Sequence, residues 1–168
     1  LNQTTTYEYD ANGNLKKIDG PLTGPADVTV HGYDALNRLA TSTDALAGLT
    51  VYGYDPLDQL RSVKDPRSLT TSYTVNALGE QTQLASPDTG TTNSSYDAAG
   101  NLLSKTDADG KQLGYSYDAL NRVTEIKHDG STAYTFSYDQ GLYALGRLTG
   151  ITGGTSPSNW TYNAVDAG

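Results

Sequence analysis

The dipeptide Tyr-Asp recurs along the chain at Tyr9-Asp10, Tyr33-Asp34, Tyr54-Asp55, Tyr96-Asp97, Tyr117-Asp118 and Tyr138-Asp139, and the successive intervals are 24, 21, 42, 21 and 21. Val75-Asn76 sits at the midpoint of the longest interval, and Tyr162-Asn163 follows Tyr138 by twenty-four. The chain therefore has a 21-residue period, with a net insertion of three in two units. A fixed period of this length is the mark of a chain that stacks one supersecondary unit on the next, each too small to bury its apolar face alone. The full length, 168 residues, is eight such periods.

Alignment on this register exposes two aromatic slots two residues apart. The first holds Tyr7, His31, Tyr52, Tyr73, Ser94, Tyr115, Phe136 and Trp160; the second holds Tyr9, Tyr33, Tyr54, Val75, Tyr96, Tyr117, Tyr138 and Tyr162. Eleven of the 13 tyrosines and the single Phe and Trp fall in these slots; Tyr134 and Tyr143 lie outside. A spacing of two places both rings on one face of a strand and on different faces of a helix.

Turn chemistry follows each pair. Asp10-Ala11-Asn12-Gly13 and Asp97-Ala98-Ala99-Gly100 put Asp first and Gly fourth, the type I preference. Asp34-Ala35-Leu36-Asn37 and Asp118-Ala119-Leu120-Asn121 end instead in Asn, which also tolerates a left-handed backbone. In Asp55-Pro56-Leu57-Asp58, proline occupies the second position, where its fixed φ fits. A type I turn followed by a left-handed residue closes a bulged hairpin. The return strand opens on Leu15, Leu39, Leu60, Leu102, Val123 or Leu148 and reaches a second polar turn such as 44–48, 107–110 or 129–131. Apolar residues three apart, as in Leu15/Ile18, Leu60/Val63 and Val123/Ile126, break strict alternation and predict a bulge near each turn.

The fold class expected is all-β: an antiparallel meander of β-hairpins, two strands per repeat and fourteen to sixteen in all. An open twisted sheet of more than about ten strands curls, so the meander should coil into a ribbon or spiral. Residues 1–168 read as a single repeat region, with units beginning near Tyr7, His31, Tyr52, Tyr73, Ser94, Tyr115, Phe136 and Trp160. Neither end resembles the polar cap a stacked array needs, and the chain starts at Leu1 without methionine, so it is expected to be a fragment of a larger protein.

Composition agrees with a thin sheet. Leu, Ile, Val and Phe make up only 30 of 168 residues, too few for a large globular centre, and tyrosine supplies the missing contact area. With 11 basic against 19 acidic residues, the chain lacks the electrostatic footprint of a nucleic-acid binder. No run approaches the roughly 18 apolar residues of a membrane helix, and no signal-like leader opens the sequence. The absence of cysteine removes disulfides, thiolate nucleophiles and cysteine metal sites.

No catalytic, cofactor or metal residue is expected, and the chain is read as no enzyme. His31 takes a place its siblings fill with tyrosine, which makes it a packing residue; His128 precedes a turn and should be solvated. Recurring aspartates are the raw material of glycosidase chemistry, but an active site is needed once, whereas this Asp recurs beside turn after turn, where backbone capping accounts for it. Asp107-Ala108-Asp109-Gly110 matches part of a calcium loop, yet position 116 is Ser where an EF-hand needs Glu, and an ordinary turn explains it. Asn2-Gln3-Thr4, Asn93-Ser94-Ser95 and Asn159-Trp160-Thr161 match the glycosylation sequon, which matters only in a eukaryotic secretory route.

Tyr-Asp, a short turn ending in Gly or Asn, a polar residue and then Leu, recurring with a 21-residue period, closely resembles the YD repeat of the RHS family. The segments Tyr96-Asp97-Ala98-Ala99-Gly100-Asn101-Leu102 and Tyr117-Asp118-Ala119-Leu120-Asn121-Arg122-Val123 lie nearest the consensus, and the resemblance runs from about Tyr7 to Tyr162. The repeat-defining positions are Tyr9, Asp10, Gly13 and Leu15; Tyr33, Asp34, Arg38 and Leu39; Tyr54, Asp55 and Leu60; Tyr96, Asp97, Gly100 and Leu102; Tyr117, Asp118, Arg122 and Val123; and Tyr138 and Asp139. The resemblance implies a β-ribbon that spirals into a hollow shell. In bacterial RHS proteins and insecticidal ABC toxin complexes such shells enclose a C-terminal toxin; in animal teneurins a related shell serves cell-surface adhesion. Asp55-Pro56 and Asp65-Pro66 lack the glycine of the family's self-cleavage motif, so a wall segment is implied, and neither the protease nor the toxin.

The leading expectation is thus a structural segment of an RHS-type shell in a secreted or cell-surface, bacterial polymorphic toxin, its partners being the rest of the shell and the toxin cargo. Two alternatives remain open: an adhesion module binding a glycan or surface protein through exposed tyrosines, and a β-repeat assembly that self-associates through open strand edges.

Overall fold

A computed structural model describes residues 3–154 and 157–162. Asn2 of the first sequon, Asn163 of the last Tyr-Asn pair and Gly168 lie outside these residues. The chain divides into two units, one up to Thr89 and one from Gly90, and each is an all-β antiparallel meander whose strands neighbour one another in sequence order. The first contains β1 (Thr6–Tyr9), β2 (Leu15–Asp19), β3 (Val28–Tyr33), β4 (Leu39–Thr43), β5 (Leu49–Tyr54), β6 (Leu60–Lys64), β7 (Thr70–Val75) and β8 (Gln81–Ser86). The second contains β9 (Gly90–Tyr96), β10 (Leu102–Thr106), β11 (Gln112–Tyr117), β12 (Val123–His128), β13 (Ser131–Tyr138), β14 (Leu148–Gly153) and the short β15 (Ser158–Asn159). Among the described residues the only helical segment is one 3-10 turn, Pro25–Asp27, within the first three-residue insertion, and no helix is long and apolar enough to cross a membrane.

The odd-numbered strands β1 to β13 end on the two slots, and the even-numbered strands open on the aliphatic residue, with β8, which opens on Gln81, the exception. The register places ring opposite aliphatic: Tyr7 faces Ile18 and Tyr9 faces Leu15; Tyr52 faces Val63 and Tyr54 faces Leu60. Tyr115 faces Ile126, Tyr117 faces Val123, Phe136 faces Ile151 and Tyr138 faces Leu148. Between the two members of each pair the register slips by one residue, as at Gly53/Tyr54 and Ser116/Tyr117. This bulge is why the aliphatic residues are spaced by three while the aromatics are spaced by two. Each such cross-strand pair contributes roughly 0.2–1 kcal/mol, and repetition supplies the total. Where the first slot holds no Tyr, Phe or Trp in β3 and β9, its partner is polar too: His31 faces Ser42 and Ser94 faces Lys105.

The turns take the conformation their residues favour. Asn37, Asp58 and Asn121 close their turns at φ of 61°, 62° and 59°, and Gly13, Gly79 and Gly100 do so at 87°, 83° and 85°. Burial is shallow. Among the described residues only Ala144, Thr149 and Gly150 are fully buried, and the strands instead carry half-buried positions along one face, as in the alternating β7 and β9.

Candidate functional site

The Tyr-Asp turn is the arrangement of polar groups that recurs along the described structure, and it is built from three fasteners. The first is local. In five of the six Tyr-Asp turns one carboxylate oxygen accepts two backbone N–H groups: Asp34 Oδ1 takes Leu36 N at 2.9 Å and Arg38 N at 3.0 Å, and Asp118 Oδ1 takes Leu120 N at 2.9 Å and Arg122 N at 3.0 Å. Asp10, Asp55 and Asp97 do the same. Asn76, where the dipeptide is degenerate, reproduces both bonds through its amide oxygen, accepting Leu78 N and Glu80 N at 2.9 and 3.0 Å. An acceptor oxygen, with or without charge, is what the turn backbone requires.

The second fastener is the tyrosine hydroxyl. Second-slot tyrosines donate to the carbonyl of the aliphatic residue that opens the preceding return strand: Tyr33 to Leu15 O at 2.9 Å, Tyr54 to Leu39 O at 3.0 Å, Tyr117 to Leu102 O at 2.9 Å, Tyr138 to Val123 O at 2.8 Å and Tyr162 to Leu148 O at 2.6 Å. This explains why the slot prefers Tyr over Phe: the ring pairs forward with its own hairpin and the hydroxyl ties backward to the repeat before.

The third fastener is arginine. Arg38 donates Nε to Asp34 Oδ2 at 2.7 Å and reaches forward with Nη1 to Asp55 O at 3.1 Å and Asp58 Oδ1 at 2.7 Å, while its guanidinium carbon lies 4.7 Å from the centre of the Tyr54 ring. Arg122 repeats the arrangement, with Nε on Asp118 Oδ2 at 2.7 Å, a fork onto Asp139 at 3.2 and 2.6 Å, and its guanidinium 4.3 Å from the Tyr138 ring. Arg147 stacks 4.6 Å from the ring of Tyr162. These contacts combine charge-assisted hydrogen bonds with cation–π attraction. Arg61 fastens differently, from Asp55 Oδ2 at 2.8 Å to Val75 O at 3.4 Å.

The electrostatics follow from the contacts. The backbone N–H of Arg38 and the backbone N–H of Arg122 hold the Asp34 and Asp118 carboxyls below the usual range, against the opposing pull of partial burial. The Asn14 and Asn101 side-chain amides lower Asp10 and Asp97 in the same sense, and the Arg122 guanidinium lowers Asp139. At Asp55 burial pushes upward, yet the N–H groups of Gln59 and Leu57 together with Arg61 outweigh it. A glycosidase acid needs the opposite, a carboxyl raised toward neutrality. The insertion in the last full repeat leaves the ladder intact: Asp139 Oδ1 accepts Gly146 N at 2.6 Å, and Arg147 N closes the longer turn on Ala144 O at 2.9 Å.

His31 lies in the first slot of β3 as the register places it, with Nδ1 buried and without a hydrogen-bond partner. His128, more than half exposed, stands 3.3 Å from Asp129 Oδ2. Asp107 Oδ1 accepts Asp109 N at 3.0 Å and Lys111 N at 2.9 Å, an ordinary turn with Gly110 at φ 80°. Asn93 lies in β9 and Asn159 in β15. An open, polar-lined groove of about 450 Å³ lies between the first two Tyr-Asp turns, and another open groove of about 310 Å³ lies beside Lys105 and His128. The hydroxyl and arginine fasteners were not read from the sequence. Their signal is nonetheless there, as an Arg four residues after the turn Asp and sixteen before the Tyr it covers, in Arg38/Tyr54 and Arg122/Tyr138.

Comparison with known proteins converges on the same register. The family model of the RHS Repeat matches residues 33–67 and 96–133. No curated protein matches the sequence. Among solved structures, the fold is similar to chains of a Tc holotoxin pore of Photorhabdus luminescens, at 19% identity and TM-score 0.64, and of a TcdB2–TccC3 complex with Cdc42, at 20% identity and TM-score 0.64. A further TcdB2–TccC3 structure matches at 20% identity and TM-score 0.63. Each match covers 87% of this chain, which spans 9% of the length of those chains. Residues 33–67 and 96–133 are thus similar to the RHS Repeat, and the same 21-residue register and turn geometry run through both segments.

Proposed function

We propose that the chain is a wall segment of an RHS-type β-shell that encloses and helps deliver a toxin cargo, in a secreted bacterial protein. The observation that carries this reading is the shared fold with Tc toxin chains over 87% of the chain, in a sheet whose polar groups are spent on joining one repeat to the next. The role is mechanical and non-catalytic: its partners are the remaining repeats of the shell and the enclosed cargo. Low aliphatic content suits such a wall, because each hairpin buries a seam against its neighbours and no globular centre is required.

The test is protease protection of the full-length protein that contains this segment. Cargo residues should resist a protease while the shell is folded and be cut rapidly once denaturant opens it. Equal cleavage of the cargo with the shell folded or opened would refute encapsulation, as would a gene that ends near Gly168, since so few strands cannot close around a cargo.

A further inference from the structure

The strands of the first unit run to and fro, so its turns form two opposite borders, and both borders display leucine. On the border that holds the Tyr-Asp turns, Leu36, Leu57 and Leu78 take the third turn position at 21-residue intervals and are 63–73% exposed. On the other border Leu22, Leu46 and Leu69 are exposed, Leu46 to 92%. The turns do not call for these side chains. What they take from Leu36, Leu57 and Leu78 is the backbone N–H, donated to Asp34, Asp55 and Asn76 Oδ1 at 2.9 Å. Asn12 and Ala99 donate the same bond from the same position. Single exposed leucines are ordinary, but a row of them at one position, on a backbone that accepts Asn or Ala there, calls for a covering surface.

We infer that the two borders are the two halves of one seam, in which the Tyr-Asp border of one turn of the ribbon packs against the opposite border of the next. The inference rests on the wall reading, and the spacing carries it. Equivalent residues on either border lie two strands apart, about 10 Å. Both rows place one leucine in each repeat, so leucine meets leucine along the seam without drifting out of step, a match that a partner of unrelated build would not share. The pairing of unlike borders follows from connectivity. A ribbon that coils in one sense lays each turn beside the last in the same direction, whereas pairing like borders requires one ribbon to be reversed. Contacts between unlike surfaces propagate as an open helix, the form a spiral wall takes. This chain spans 9% of the length of the similar Tc toxin chains, so in a wall of that size the rest of the ribbon supplies the occupant. In the second unit Leu120, Leu142 and Leu145 are exposed at the Tyr-Asp border, but the opposite turns at 107–110 and 129–130 hold no leucine, so only the first unit offers both halves.

Alone, the 168-residue chain presents both borders uncovered, and sedimentation velocity over a concentration series reads the consequence. The native chain should self-associate. The triple variant Leu36→Asn, Leu57→Asn, Leu78→Asn, with the residue Asn12 already provides, should keep its circular dichroism and associate about tenfold more weakly or worse. Because the chain has no cysteine, the pairing can be read directly. Leu57→Cys and Leu46→Cys chains, one of them isotopically labelled, should give more mixed dimer than either like dimer with a short bis-maleimide, and Leu57→Cys with Asp109→Cys should not. A monomeric native chain, association unchanged in the triple variant (the outcome of pairing through the β1 strand edge), or an excess of like Leu57→Cys dimers would each overturn the inference. None of these outcomes bears on encapsulation, which protease protection of the full-length protein decides separately.

Discussion

Replacing Tyr54 by Phe removes one oxygen and leaves the ring in place, so it isolates the fastener that joins successive repeats. In the native chain the Tyr54 hydroxyl donates to Leu39 O at 3.0 Å in a partly buried setting. The ring remains opposite Leu60 and beneath the Arg38 guanidinium, contacts that phenylalanine preserves. A hydrogen bond of this kind contributes a net of about 1 kcal/mol, and the abandoned carbonyl is only partly able to recruit water. The expected loss is therefore about 1 kcal/mol, or roughly a fivefold fall in the folding equilibrium constant. Urea denaturation followed by circular dichroism measures it, with an unchanged slope showing that the denatured state is unaffected. Tyr9→Phe is the internal control. Tyr9 is 62% exposed and its hydroxyl makes no hydrogen bond among the described residues, so its variant should match the native chain. If Tyr54→Phe were also neutral, or if Tyr9→Phe cost as much, the hydroxyl-to-carbonyl tie would not be a source of stability.

Three further predictions bear on the same ladder. Val75→Tyr should add a hydroxyl tie to Leu60 O and stabilise the chain by about 0.5–1 kcal/mol in the same assay; the gain stays at that size because the facing residue is Gln81 and not an aliphatic one. Gly100→Ala should cost about 1–2 kcal/mol, because a Cβ disfavours the φ of 85° that closes this turn, and Gly100→Asn should cost less, since Asn121 holds the equivalent place at 59°. Acid should destabilise the fold. Asp34 and Asp118 have folded carboxyls lowered from the unfolded 3.8 by the backbone N–H groups of Arg38 and Arg122. Their stabilisation is complete above that value and is lost as pH falls through the lowered folded values, so urea midpoints should be flat near neutrality and fall below about pH 4. A midpoint insensitive to acid in that range would show that the turn carboxylates contribute nothing through their charge.

The period, the hairpins, the bulges and the turn classes are all legible in the residues because each depends on neighbours close in the chain. Asp before a left-handed Gly13 or Asn37 states its own backbone, and aromatics two apart state which face they share. Spacings of three on one strand and two on the other predict a bulge near the turn, and the structure places the register slip at Gly53/Tyr54. The destination of a tyrosine hydroxyl is a different matter. Leu39 lies fifteen residues before Tyr54 and on the neighbouring repeat, and only the strand register decides that its carbonyl comes within 3.0 Å.

The same limit governs the arginines. Arg38 and Arg122 recur at the same place in the repeat, but that each spans a turn Asp, the next Tyr ring and the next turn follows from how far one hairpin is displaced from the one before. Charge, aromatic slots and period alone determined that this chain is a stack of like hairpins with little core, since those are properties of local backbone preference and composition. The tertiary structure decided which polar groups close the gaps between repeats, because hydrogen bonds and ring stacking depend on ångström-scale distances that no one-dimensional spacing encodes.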